Sequence, residues 1–106
     1  MSSKLRRYEV LLPVRFNDGR EVPEEWLGEA VDEIANHFGA VSFDRRRVEG
    51  RWTSEGVVYR DQLARLVVDV ADTAKNRTWM RRFKARWKKR LEQLELWMVS
   101  YRVEVE

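Results

Sequence analysis

Few residues in this chain are of types that do chemistry, and they are scattered. His37 is the only histidine, and there is no cysteine. An imidazole serves as a general base only beside a group that orients it, and no partner stands at a recognisable spacing. In the last turn of a helix, a histidine suits the negative end of the dipole instead. Glu25, Glu29 and Glu33 recur at i, i+4 and i+8, with Asp32 beside them. Such a face could hold Mg²⁺ or Mn²⁺, but a solvated acidic face turned toward a basic neighbour accounts for it. The chain has no HExxH pair, no glycine-rich phosphate loop and no nucleophile elbow. Without cysteine, disulfides and thiolate metal sites are excluded. No catalytic residue, metal ligand or cofactor is therefore assigned.

The strongest pattern is cationic. Residues 73–91, TAKNRTWMRRFKARWKKRL, hold nine of the 21 Lys and Arg and no acid. At helical spacing, Trp79, Met80, Phe83, Trp87, Leu91 and Leu94 share one apolar stripe. Arg81, Arg82, Lys84, Lys88 and Lys89 fall on the opposite side. Arg86 borders the stripe, and Arg90 lies within it, where a long stem can cover apolar surface. Arg45, Arg46 and Arg47, with Arg51 and Trp52, form a second basic patch. Arginine planes and tryptophan can stack on unpaired bases, but a charge run also suits an edge strand that must not pair with another chain.

The elements that must position these residues follow from periodicity. Tyr8 to Phe16 alternates as a strand, and Asn17-Asp18-Gly19 marks a turn. Pro23 opens a helix in which Leu27, Ala30, Val31, Ile34 and Phe38 recur on one side, and Gly39 is placed to end it. Val41 to Thr53 reads as a second strand, interrupted at Arg45–Arg47. Val57 to Val70 reads as a third, with an irregularity near Arg60-Asp61-Gln62 and with Leu66, Val68 and Val70 inward. Thr73 caps the basic helix through its hydroxyl, and Glu92 to Val105 reads as the last strand. The order β-α-β-β-α-β predicts an α+β domain over 1–106. It fits a ferredoxin-like plan, a four-stranded antiparallel sheet with both helices on one face and strand order 4-1-3-2. Pro13, in a central strand, predicts a bulge or the end of pairing.

Length and charge set further bounds. One domain of 106 residues can bury a real core. The net charge of +3 hides an asymmetry, because the chain outside the basic helix has 12 basic residues against 18 acidic ones. The acidic first helix is expected to lie beside the basic second one, and to neutralise part of it. The last strand is apolar on both faces. Either Trp97, Val99 and Tyr101 or Leu96 and Met98 must therefore look away from the helices. Taking the first set with Leu11 and Val67, the open sheet face predicts a homodimer. The start MSSKLRRYEV lacks an apolar signal core, and no run reaches membrane-spanning length, so a cytosolic protein without a membrane partner is expected.

Several stretches also carry a resemblance. These are Leu12-Pro13 with Arg15-Phe16-Asn17-Asp18-Gly19, Trp52, Val58-Tyr59-Arg60-Asp61, Val68-Asp69-Val70-Ala71-Asp72-Thr73, and Phe83-Lys84 through Leu94-Glu95-Leu96-Trp97-Met98. Together they resemble a group of small uncharacterised bacterial proteins of unknown function. That implies a bacterial cytosolic origin and brings no activity. At the level of fold, the plan is similar to dimeric α+β barrel proteins, some of which are small monooxygenases or haem-handling enzymes; this is analogy only. Three functions are expected from these readings. The leading one is a non-catalytic homo-oligomeric module that contacts an acidic partner, protein or nucleic acid, through Arg81, Arg82, Lys84, Arg86, Lys88 and Lys89. The second is a sequence-independent nucleic-acid binder using the same helix and Arg45–Arg47. The third is a small enzyme with a pocket between helices and sheet, near His37, Tyr59 and Trp97.

Overall fold

Six elements follow one another in the computed structural model: β1 (Leu5–Pro13), α1 (Glu24–Phe38), β2 (Ser42–Ser54), β3 (Val57–Ala71), α2 (Ala74–Arg90) and β4 (Met98–Val103). The structure describes residues 4–106, apart from the side chains of 45–49 and 59–61. The strands form one antiparallel sheet in the order β2-β3-β1-β4. Among the described residues, no helix is long and apolar enough to cross a membrane.

Strand alternation divides the sheet into two faces. Tyr8, Val10 and Leu12 of β1, with Leu66, Val68 and Val70 of β3, turn to one face and are buried there with Ala30 and Ile34 of α1 and Met80, Phe83 and Trp87 of α2. Both helices thus cover the same face. Leu96 is buried in that core and Met98 packs against it. Continuing the β1–β4 register one step past Val10↔Met98 sets Trp97 opposite Leu11, and the Leu11 amide donates to the Trp97 carbonyl at 3.0 Å. Trp97, Val99 and Tyr101 therefore lie on the open face.

Local chemistry explains where the elements stop. Proline has no N–H for the ladder, and β1 ends at Pro13, three residues earlier than its alternation predicts. Beyond it, the Val14 N–H still donates to Gln62 of β3 at 3.0 Å, and the bridge Arg15↔Glu21 follows. The strand also begins earlier, at Leu5, because Arg6 and Arg7 are held by Asp72 and Asp69. Gly39 closes α1 in the left-handed region, φ 87, where its N–H donates to Ala35. The β2–β3 turn puts Glu55 and Gly56 at φ 49 and 78, the pair of positive φ values of a tight two-residue hairpin.

Two sequence expectations are corrected. The irregularity predicted near Arg60–Gln62 of β3 is not formed, whereas the interruption predicted at Arg45–Arg47 of β2 is, as a register shift between Asp44 and Val48. The β2–β3 register is unbroken from Val57 to Leu63. The last strand begins at Met98, not Glu92. Helix α2 is followed by a left-handed Glu92, φ 54, whose N–H donates to Lys89 while the Gln93 N–H donates to Lys88. That is the two-bond closure of a helix end, made here without glycine. Leu94, placed by the sequence in the helix stripe and again in the last strand, belongs to neither element and is 59% exposed.

Candidate functional site

Thr73 starts the basic helix as its spacing predicts, with Oγ1 accepting from the Asn76 N–H at 3.1 Å. The apolar stripe meets α1 along a seam of rings. Trp26 stands edge-on to Trp87, which neighbours Phe83. Phe83 stacks on Trp79 with centroids 5.7 Å apart, and Trp79 stacks on His37 at 4.4 Å. Three of the five tryptophans are thereby spent on helix–helix contact. His37 is exposed and flat against Trp79. Among the described residues, no hydrogen bond or ion pair brings a carboxylate or hydroxyl to it. It stands in the last turn of α1, as its position suggests, with its ring stacked on an indole.

The acidic helix neutralises part of the basic one. Glu33 pairs with Arg86 at 3.4 Å and accepts from the Trp87 indole N–H at 3.0 Å. Glu29 pairs with Arg90, whose guanidinium lies over the rings of Trp26 (4.1 Å) and Trp87 (4.8 Å). An arginine inside an apolar stripe is thus accommodated as a cation between two indoles. Lys84 is held by Glu95 at 3.0 Å. The carboxyl of Glu95 is pushed below its ordinary range chiefly by that bond, then by the Leu96 N–H, with a weaker pull from Lys88. Among the described residues, Arg81, Arg82, Lys88 and Lys89 have no ion-pair partner. Of the six predicted partner-binding residues of α2, four keep their charge free, and Lys84 and Arg86 do not. The side chains of Arg45, Arg46 and Arg47 lie outside the described residues. Their backbone runs along β2, an edge of the sheet.

On the open face, Leu11, Val67 and Val99 are half-buried, while Trp97 and Tyr101 are 61% and 42% exposed. Ion pairs Arg7–Asp69, at 2.8 Å, and Arg65–Glu9 lie among them. The face is therefore apolar with charges paired across strands, a feature that alternation alone does not show.

A pocket near His37, Tyr59 and Trp97 is not formed. His37 belongs to the helix layer and Trp97 to the opposite face of the sheet, and the Tyr59 side chain lies outside the described residues. The open space is elsewhere. A cleft of about 940 Å³ runs between α1 and the sheet, with Leu12, Ala64, Phe43 and Trp26 in its walls and Glu21, Glu24 and Asp32 among its lining residues. A smaller groove of about 380 Å³ separates α2 from β4. Sequence reasoning missed both. The only signal for the second was the spacing of Arg77, Arg81 and Lys84 along one side of α2.

No protein-family model and no curated protein matches the chain. Solved structures similar to it include a phage SAM lyase in complex with S-methyl-5′-thioadenosine and CutA from Synechococcus elongatus. The first has a TM-score of 0.72 at 9% identity, over 99% of this chain and 93% of that one. The second has a TM-score of 0.60 at 7% identity, over 94% of this chain and 77% of the other. At such identities, the likeness is one of fold.

Proposed function

We propose that this chain, built on a ferredoxin-like plan, is a non-catalytic homo-oligomeric binding module that holds an acidic partner on the outer face of α2. The observation that carries the reading is the set of cations Arg81, Arg82, Lys88 and Lys89, without ion-pair partners among the described residues. It persists although α1 supplies carboxylates to Arg86 and Arg90 on the same helix. Unneutralised charges on one face favour a polyanion, and such binding weakens steeply as salt displaces it. The test is fluorescence anisotropy with labelled poly-glutamate, DNA and RNA at about 50 and 200 mM salt, the range in which charge contacts reveal themselves. Saturable binding at low salt, lost in a Lys88→Glu, Lys89→Glu variant, supports the reading. The preferred probe separates an acidic protein from nucleic acid. No binding to any of them at low salt removes it.

The α1–sheet cleft favours a second reading, a small enzyme with a pocket between helices and sheet. Its size falls within the range of small-molecule sites, and its aromatic and apolar walls with a carboxylate rim suit a flat ligand with a cationic end. The fold likeness to a lyase bound to S-methyl-5′-thioadenosine suggests the ligands to try. Calorimetric titration with SAM and with S-methyl-5′-thioadenosine tests it. Binding weakened by Asp32→Asn supports it, and no heat with either compound discards it.

A further inference from the structure

The groove between α2 and β4 is built from hydrogen-bond donors. Arg77, Arg81 and Lys84 stand at i, i+4 and i+7, so they share one side of the helix. Across from them, Tyr8 of β1 and Ser100 of β4 are directly paired in the ladder, so both side chains leave the sheet on the helix side. The groove is lined by these five residues, with Met98 and Val99 completing it.

Two of its members have hydrogen-bonding capacity to spare. Tyr8 is 3% exposed, yet its hydroxyl has no hydrogen-bond partner among the described residues. Among the described residues no buried side-chain polar atom lacks a partner, so the hydroxyl is the part of Tyr8 that reaches solvent, and the little surface Tyr8 retains lies on this groove. Ser100 Oγ accepts from Arg6 Nη1 at 3.2 Å, which leaves its own proton to donate. The carboxylate that should neutralise the cations is already engaged. Asp72 binds Arg6 at 2.9 Å through one oxygen and Arg102 at 3.0 Å through the other, and Arg77 reaches it only at 3.9 Å. Among the described residues Arg81 has no ion-pair partner, and Glu95 pairs with Lys84.

Three cations and two hydroxyls therefore face one small space, from a helix on one side and two strands on the other. A carboxylate offers two oxygens in one plane and meets fewer of these donors at once. A tetrahedral group with three terminal oxygens meets more of them. We propose that this groove is a binding site for the phosphoryl group of a phosphomonoester, with Tyr8, Arg81, Lys84 and Ser100 donating to its oxygens and Arg77 completing the positive field. The inference deepens the reading of α2 as an anion-facing helix and rests on it. The two fail separately, because Arg82, Lys88 and Lys89 do not line the groove.

Calorimetry and ³¹P NMR with inorganic phosphate, phenyl phosphate and a phosphoserine peptide test the site, with benzoate as the carboxylate control. Saturable binding of phenyl phosphate at one site, with benzoate weaker, is expected. Tyr8→Phe keeps the ring and lowers affinity by about tenfold, the scale of one lost hydrogen bond to a charged group. The double variant Arg81→Ala, Lys84→Ala abolishes binding, and Lys88→Glu, Lys89→Glu leaves it unchanged while removing polyanion binding to the outer face. Far-ultraviolet circular dichroism checks that each variant is folded. A tighter peptide assigns the phosphoryl group to a protein, and a tighter phenyl phosphate assigns it to a small molecule; both uphold the site. Absence of saturable phosphate binding overturns the proposal. So does affinity indifferent to Tyr8→Phe and Arg81→Ala, or reduced as much by the outer-face reversal.

Discussion

Asp72 is the residue on which most charges converge, and its surroundings give it a clear pH signature. The Arg6 hydrogen bond, then the one from Arg102, hold its carboxyl below the usual value of 3.8. A carboxyl with a lower pKa in the folded chain stabilises it fully above the unfolded value. That contribution is lost as the pH falls from 3.8 through the depressed folded value. An Asp72→Asn variant should therefore be less stable at pH 7, and should lose less further stability than the parent between about pH 5 and pH 2. Urea unfolding at a series of pH values measures both. Trp87 is the other residue whose loss is diagnostic. It is 2% exposed, lies against Phe83, and ties its indole to Glu33 on the facing helix. Trp87→Ala should cost about 3–5 kcal/mol in denaturant unfolding, as core aromatic truncations do. At this scale the sequence was legible for types and not for partners. The stripe placed Trp79, Phe83 and Trp87 inward, and spacing put Arg90 among them. That Arg90 sits between two indoles depends on Trp26, 64 positions earlier, and no local pattern reports it.

Helix ends carry the lesson at the scale of elements. Glycine announced the end of α1, because only glycine adopts φ 87 without strain. Gly39→Ala should destabilise the protein by about 1 kcal/mol, read as a lowered midpoint in thermal unfolding, although open space surrounds the position. Thr73→Ala should cost a similar amount, about 1 kcal/mol, by leaving the Asn76 N–H without its cap. The end of α2 gave no such signal. Glu92 is an ordinary residue in a left-handed conformation, and the apolar alternation from Leu94 onward read as strand. The true strand begins only where β1 has partners left to offer, and its Pro13 had already ended the ladder on that side. The same competition decided between the two irregularities the sequence predicts. Arg60-Asp61-Gln62 looked disruptive by composition, but the edge strand β2 has no neighbour on its far side to hold its register, and it took the bulge.

For the whole molecule, the sheet is the asymmetric object, with one face sealed by both helices and the other bare. The open face, Leu11, Val67, Trp97, Val99 and Tyr101, is our proposed surface for a second copy. Sedimentation velocity over a hundredfold range of concentration should show self-association that a Trp97→Lys, Tyr101→Lys variant abolishes. A parent that stays monomeric throughout would end the homo-oligomer reading. The order of strands was legible from the order of elements, because consecutive elements have few un-knotted ways to return to one sheet. The placement of the two cavities was not, because it depends on how far each helix stands off the sheet. That strand order also bears on how the chain reaches its fold. Leu5 pairs with Val103, so the contact between β1 and β4 closes nearly the longest loop the described chain can make, and loop closure is what slows folding in such topologies. The β2–β3 hairpin needs only a two-residue turn and should form well before it. A circular permutant that joins the two ends through a short linker and opens the chain at Glu55-Gly56 would reverse that order. It would make the β1–β4 pairing local and the hairpin remote, and the refolding phase that trails in the parent would then report the hairpin instead.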